Sequence, residues 1–143
     1  MLRNKKGFTL IEMLAVIAII AVLVAIIVPA IGSSTQKAMA ATDAANLRTI
    51  LSLLNTHVIN GEKTVDEIIA NCSNPTSKMD PDAKLTVVFE TPGFIDAFYA
   101  KGDVYYSLPY LSELATNGPD SEKLETIGTA KPDVPGVWYT VGD

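Results

Sequence analysis

Gly7-Phe8-Thr9-Leu10-Ile11-Glu12-Met13 is the stretch that decides how this chain is built. A short basic leader carrying Arg3, Lys5 and Lys6 runs into Gly7, and an almost unbroken apolar run starts at Phe8. Glu12 is the one charge in that run until it has passed Pro29. Residues 8–31 would form a helix of about 36 Å, enough to cross a hydrocarbon core of about 30 Å. Three basic residues precede the run and Lys37 alone follows closely, so the positive-inside rule places the N-terminus in the cytoplasm and the rest outside. A carboxylate inside a lipid-spanning segment is costly and marks a functional position.

Three readings of this segment compete. A secretory signal peptide would be cut at a small-residue site such as Val28-Pro29-Ala30 or Ala38-Met39-Ala40, but the apolar run is long for one and an acidic residue near its start is unusual. A plain N-terminal anchor explains the length and leaves Glu12 and the Gly-Phe junction unexplained. In the third, the junction Gly7-Phe8-Thr9-Leu10-Ile11-Glu12 resembles the leader of type IV pilins and pseudopilins: a basic leader, Gly, Phe, then Glu at the fifth position after the Gly. The resemblance covers about the first third of the chain.

That resemblance implies cleavage by a prepilin peptidase between Gly7 and Phe8 and N-methylation of Phe8. It implies that Glu12 neutralises the Phe8 ammonium of a neighbouring subunit during assembly. Opposite charges a few ångströms apart attract far more strongly in a low dielectric than in water, so pairing would reward one axial register between subunits. Glu12 also sits one helical turn from Phe8 of its own chain, so an intramolecular pair competes. The implied partners are the peptidase, identical or related pilin subunits, membrane lipid before assembly, and an inner-membrane platform with a cytoplasmic ATPase. Pro29 removes a backbone donor, and Gly32-Ser33-Ser34 are poor helix formers, so a flexible joint is expected from about Ala21 to Ser34.

Beyond the span, Ala40, Ala44, Leu47, Leu51, Leu54 and Val58 recur at alternating intervals of four and three, one face of a helix. Asp43, Asn46, Arg48, Ser52 and Asn55 are read as lying elsewhere on it. With Asn60-Gly61 as a stop, this gives one helix over about residues 8–59. His57 is read as a solvated or capping side chain. Thr64-Val65-Asp66-Glu67 has the form of a capping box and predicts a short helix through about Asn71. Residues 84–90 are rich in β-branched side chains. Thr91-Pro92-Gly93-Phe94 suits a type II turn. Residues 94–100 and 104–107 read as a hairpin joined by Lys101-Gly102-Asp103, with a helix over 94–100 the weaker alternative. Pro109 to Ala115 suits a helical turn or two capped by Ser107, residues 137–141 a last strand, and Leu124–Ile127 a weak strand in a turn-rich stretch.

The expected fold is α+β: a long N-terminal helix, membrane-embedded in its first half, packed by its second half on a small antiparallel β-sheet. The expected division is a leader over 1–7, a membrane or filament-core helix over 8–31, and a body over 32–143. Of 143 residues, 11 are basic and 16 acidic, a net charge of −5. Without the leader's three cations the balance is −8, and the remaining basic residues are scattered singly, so no direct nucleic-acid binding is expected. The single cysteine, Cys72, is read as a small, partly buried side chain and excludes an intramolecular disulfide. Asn71-Cys72-Ser73 fits a glycosylation sequon, taken as coincidence.

With one His, one Cys and no phosphate-binding glycine loop, the residues supply no catalytic set. The chain is expected to be an enzyme's substrate, not an enzyme, with no cofactor. Asp80-Pro81-Asp82 invites a calcium reading, but two aspartates fall short of a ligand set, and no metal is expected. Tyr105, Tyr106, Tyr110, Trp138 and Tyr139 are read as sheet packing, with surface adhesion the alternative. The implied role is a structural subunit of a type IV pilus for adhesion or motility. The alternatives are a pseudopilin of a type II secretion or competence system, and a membrane-anchored binding protein that never polymerises.

Overall fold

The computed structural model describes residues 8–61 and 63–141. The leader, Gly7 included, therefore lies outside the described residues. The elements are α1 (Leu10–Asn60), α2 (Val65–Ala70), β1 (Lys84–Glu90), β2 (Gly93–Lys101), β3 (Val104–Ser107), α3 (Leu108–Asn117), α4 (Glu122–Ile127) and β4 (Val137–Thr140). By internal contacts the chain divides into two compact units, residues 1–34 and 35–143.

In the first unit α1 is an isolated helix whose apolar side chains from Leu10 to Ile31 are largely exposed. Its most apolar stretch of 18 residues has a mean hydropathy of 3.3 and no buried share, which separates it from a core helix of a soluble protein. The helix is continuous through Pro29 and Gly32. A proline deletes one i→i−4 bond and leaves the turns on either side their own, and the Ser33 hydroxyl bonds back to the Ala30 carbonyl at 3.3 Å.

In the second unit the rest of α1 supplies one wall of the core. Ala40, Ala44, Leu47, Ile50 and Leu54 are buried against Leu85 and Val87 of β1, Ala97 and Tyr99 of β2, and Leu111 and Leu114 of α3. The four-strand sheet has the order β3-β2-β1-β4, antiparallel throughout. Its far face has a second, smaller core: Val88 and Phe98 are fully buried, with the rings of Trp138 and Tyr105 edge-on to Phe98 at 4.9 and 5.6 Å. Among the five aromatic residues weighed for adhesion, these two pack on that face, and all five are half-buried.

Local chemistry explains the boundaries. Gly61 takes a left-handed conformation at φ +63° and ends α1, its N–H bonding the Val58 carbonyl at 3.2 Å. Ser107 caps α3, accepting from the Tyr110 N–H. Gly102, at φ +57°, opens the two-residue loop between Lys101 and Val104, which pair with each other.

Two sequence readings are corrected. Residues 122–127 form a helix, α4, where a weak strand was expected. Leu124 alone points inward and is buried, and Gly128 at φ +64° returns its N–H to the Leu124 carbonyl at 2.8 Å. The β1–β2 connection is the pair Thr91-Pro92, joined by a cis peptide bond, and Gly93 already belongs to β2, paired with Glu90. What a larger residue would meet there is a neighbour: a Cβ on Gly93 would stand 2.6 Å from Asn55 Oδ1, so Asn55 would have to shift from its bonds to Phe94.

Candidate processing and assembly site

Thr9-Leu10-Ile11-Glu12 repeats the Thr-x-x-Glu pattern of Thr64–Glu67, and the structure folds both in the same way. The Thr9 N–H and hydroxyl donate to Glu12 Oε2 at 2.8 and 3.0 Å, and the Glu12 N–H reaches Thr9 Oγ1 at 3.4 Å. Around Thr64 and Glu67 the same three contacts measure 2.9, 3.1 and 3.4 Å. Each box satisfies backbone donors that a helix start leaves without intrahelical partners. The hydrogen bonds from Thr64 hold the Glu67 carboxyl below its ordinary range. The box at Thr9 explains why α1 starts at Leu10 rather than at Phe8.

Phe8 lies before the helix, non-helical and 75 % exposed. Glu12 sits in the first turn, also exposed, and both bonds that it accepts from Thr9 fall on Oε2, so Oε1 takes no part in the box. Phe8 and Glu12 are thus brought to the same end of α1. Pro29 and Gly32 lie within α1, more than a dozen residues further along. Nothing stands within 4 Å of where a Cβ on Gly32 would be, so packing does not require glycine there.

The other candidate groups resolve into structural contacts. Lys101 Nζ bridges Asp80 Oδ1 at 3.0 Å and Asp82 Oδ2 at 2.9 Å, occupying the carboxylates that suggested calcium and holding the Asp80 carboxyl below its ordinary range. Among the described residues no three His, Cys, Asp or Glu side chains group as metal ligands. Cys72 is half-buried, burial pushes its thiol up, and it lines a small cavity of about 150 Å³ with His57, Ile50, Leu54 and Ile68.

Sequence reasoning missed three residues. Thr9 was legible, since the pattern recognised at Thr64 stands here too. Asp43 was read as lying off the packed face, yet it is fully buried and accepts from Ser77 Oγ at 2.6 Å and from the backbone N–H groups of Lys78 and Met79 at 2.7 and 3.0 Å. Asn55, placed with it, brackets Phe94, donating to its carbonyl at 2.9 Å and accepting from its N–H at 2.8 Å.

Residues 2–28 match the prokaryotic N-terminal methylation motif, the prepilin-type leader of type IV pilins and pseudopilins. The match is confined to this N-terminal segment, and it supports a likeness to the precursors of type IV pilins and pseudopilins. A long apolar helix followed by a small antiparallel sheet with helices is the pilin-like α+β layout. No curated protein and no solved structure matches the chain.

Proposed function

We propose that this chain is the structural subunit of a type IV pilus, serving adhesion or motility. Prepilin peptidase cuts it between Gly7 and Phe8, Phe8 is N-methylated, and the mature protein polymerises through α1. Before assembly it waits in the cytoplasmic membrane, N-terminus inside and body outside. A platform in that membrane, driven by a cytoplasmic ATPase, adds it to a filament of identical or related subunits. The observation that carries this reading is one carboxylate, Glu12, at the start of an exposed apolar helix and inside the matched methylation motif. A lone charge in lipid costs a few kcal/mol at the bilayer centre and less near its edge. The new ammonium at Phe8 of an adjacent subunit offsets that cost and selects the register. Pro29 and Gly32 are the turn at which α1 loosens to suit the filament.

Terminal sequencing and a shearing assay test this together. The mature chain is expected to begin at methyl-Phe8 and to appear in sheared filaments. Glu12→Gln, which removes the charge and keeps a side chain able to accept from Thr9, is expected to be cleaved as before while filament yield falls at least tenfold. A terminus near Ile31 or Ala41 would return the segment to a signal peptide. A processed chain that never enters sheared filaments would make it a membrane-anchored binding protein or a short pseudopilus subunit.

A further inference from the structure

The box at the start of α1 does more than hold Glu12. A helix entering lipid is under pressure to keep extending, because each backbone group without a partner there costs several kcal/mol. The next strong capping residue upstream of Thr9 is Asn4, of a type that starts helices well. A helix begun at Asn4 would carry Gly7 and Phe8 inside its first turn. The reciprocal bonds between Thr9 and Glu12 instead fix the start at Leu10 and leave Phe8 outside, non-helical and exposed.

We propose that Thr9 is a positioning residue for leader processing: with Glu12 it stops α1 just short of Phe8, so that Phe8 meets the peptidase outside the helix. This rests on the reading of the chain as a prepilin. Enzymes grip an extended segment through its main-chain N–H and C=O groups, and a helix has already used the C=O groups of its first turn. Thr9 acts on the junction through the helix boundary and touches no reacting atom. Because the box uses Oε2, Glu12 serves it and still presents Oε1 to an ammonium; processing and assembly draw on different atoms of one carboxylate.

Three variants of the full precursor, each co-produced in membranes with prepilin peptidase, separate the two roles. The readout is the cleaved fraction of total chain over time, which a change in expression level does not mimic. Thr9→Val keeps the side-chain shape and removes the hydroxyl; its cleavage is expected to slow roughly fivefold, in line with the loss of one N-cap. Thr9→Ser keeps the box and is expected to stay within about twofold of the parent. Glu12→Gln also keeps the box, since glutamine serves in it as glutamate does, and is expected to be cleaved at the parent rate while failing to form filaments. Cleavage of Thr9→Val at the parent rate would overturn the proposal, as would Glu12→Gln being as slow as Thr9→Val. Normal filaments from Glu12→Gln would instead sink the charge-pairing reading and leave the positioning role of Thr9 standing.

Discussion

The two halves of α1 share a backbone and follow opposite rules for polar side chains. From Leu10 to Ser34 the apolar side chains are exposed, and the one carboxylate is satisfied by its own first turn. From Thr35 to Asn60 one apolar face is buried, with Met39, Leu53 and Ile59 left exposed, and Asp43, Arg48 and Asn55 reach across to other elements. Asp43 gathers the 77–79 loop, Asn55 holds the first residues of β2, and Arg48 Nη2 donates to Ser112 Oγ of α3 at 2.9 Å. One half has found its partners inside the chain. The other presents its surface to something else, in our reading lipid first and sister helices afterwards.

Asp43 is where this contrast breaks most visibly, and Asp43→Ala is expected to have the largest effect on stability. It removes the acceptor for three donors, one of them a fully enclosed hydroxyl and two of them backbone amides. Each buried donor left without a partner costs about 1–3 kcal/mol, so the loss should reach roughly 3–5 kcal/mol. For a body of this size that is a fall in Tm of more than about 10 °C. Thermal unfolding of the detergent-solubilised chain, followed by circular dichroism in the near-ultraviolet, reads it. Leader cleavage should be unchanged, because the hydrogen bonds that fix the start of α1 are all between Thr9 and Glu12.

Asn55→Ala extends the same logic at smaller scale. It loses two hydrogen bonds to Phe94, but its side chain is only half-buried, so water can serve part of the freed backbone. The expected cost is about 1–2 kcal/mol. Gly93 adds a sharper test of the contact: Gly93→Ala should clash with Asn55, and combining it with Asn55→Ala should recover part of its cost. Additive losses in the double variant would show that the crowding at Gly93 has another source.

Why the sequence disclosed some of this and concealed the rest is visible in the helix. The apolar stripe was legible because its repeat matches the helical period, and it identified Ala40, Ala44, Leu47 and Leu54 correctly. From Ala40, however, the next position on the same face is residue 43 as well as residue 44. Choosing the apolar alternative each time hid Asp43 and, one turn on, gave Leu51 the place that Ile50 fills more deeply. A buried carboxylate is recognised by its donors, and those lie 34 to 36 residues away in an irregular loop with no periodic signal. The strands from 84 to 107 were readable because β-branched and aromatic runs were separated by glycine and proline. The stretch 122–127 was not: it is short, and one buried leucine fits a helix turn as well as a strand. At the proposed processing site the Thr-x-x-Glu pattern was legible, whereas the helix start at Leu10 came only with the hydrogen bonds of Thr9.

The smallest effect expected lies next to Asp43, on the strand that faces it. Tyr99 is fully buried, and among the described residues its hydroxyl is the one buried side-chain polar atom without a hydrogen-bond partner. Burial, then the nearby Asp43 carboxylate, push its ionisation up to about 12 from an ordinary value of 10.0. With the folded value raised, the unfolded chain loses its proton first as pH climbs. The contribution is therefore intact below pH 10 and lost progressively between pH 10 and about 12. Tyr99→Phe should leave stability at pH 7 within about 1 kcal/mol of the parent, because the hydroxyl gives up at most its interaction with Asn46. It should also flatten the alkaline decline in Tm across that window. An equally steep decline in the variant would assign it to other groups, and a large loss at pH 7 would mean that the hydroxyl has a partner in solution. Either result would sharpen the contrast between the halves of α1, since Tyr99 and Asp43 meet where the second half depends most on the rest of its own chain.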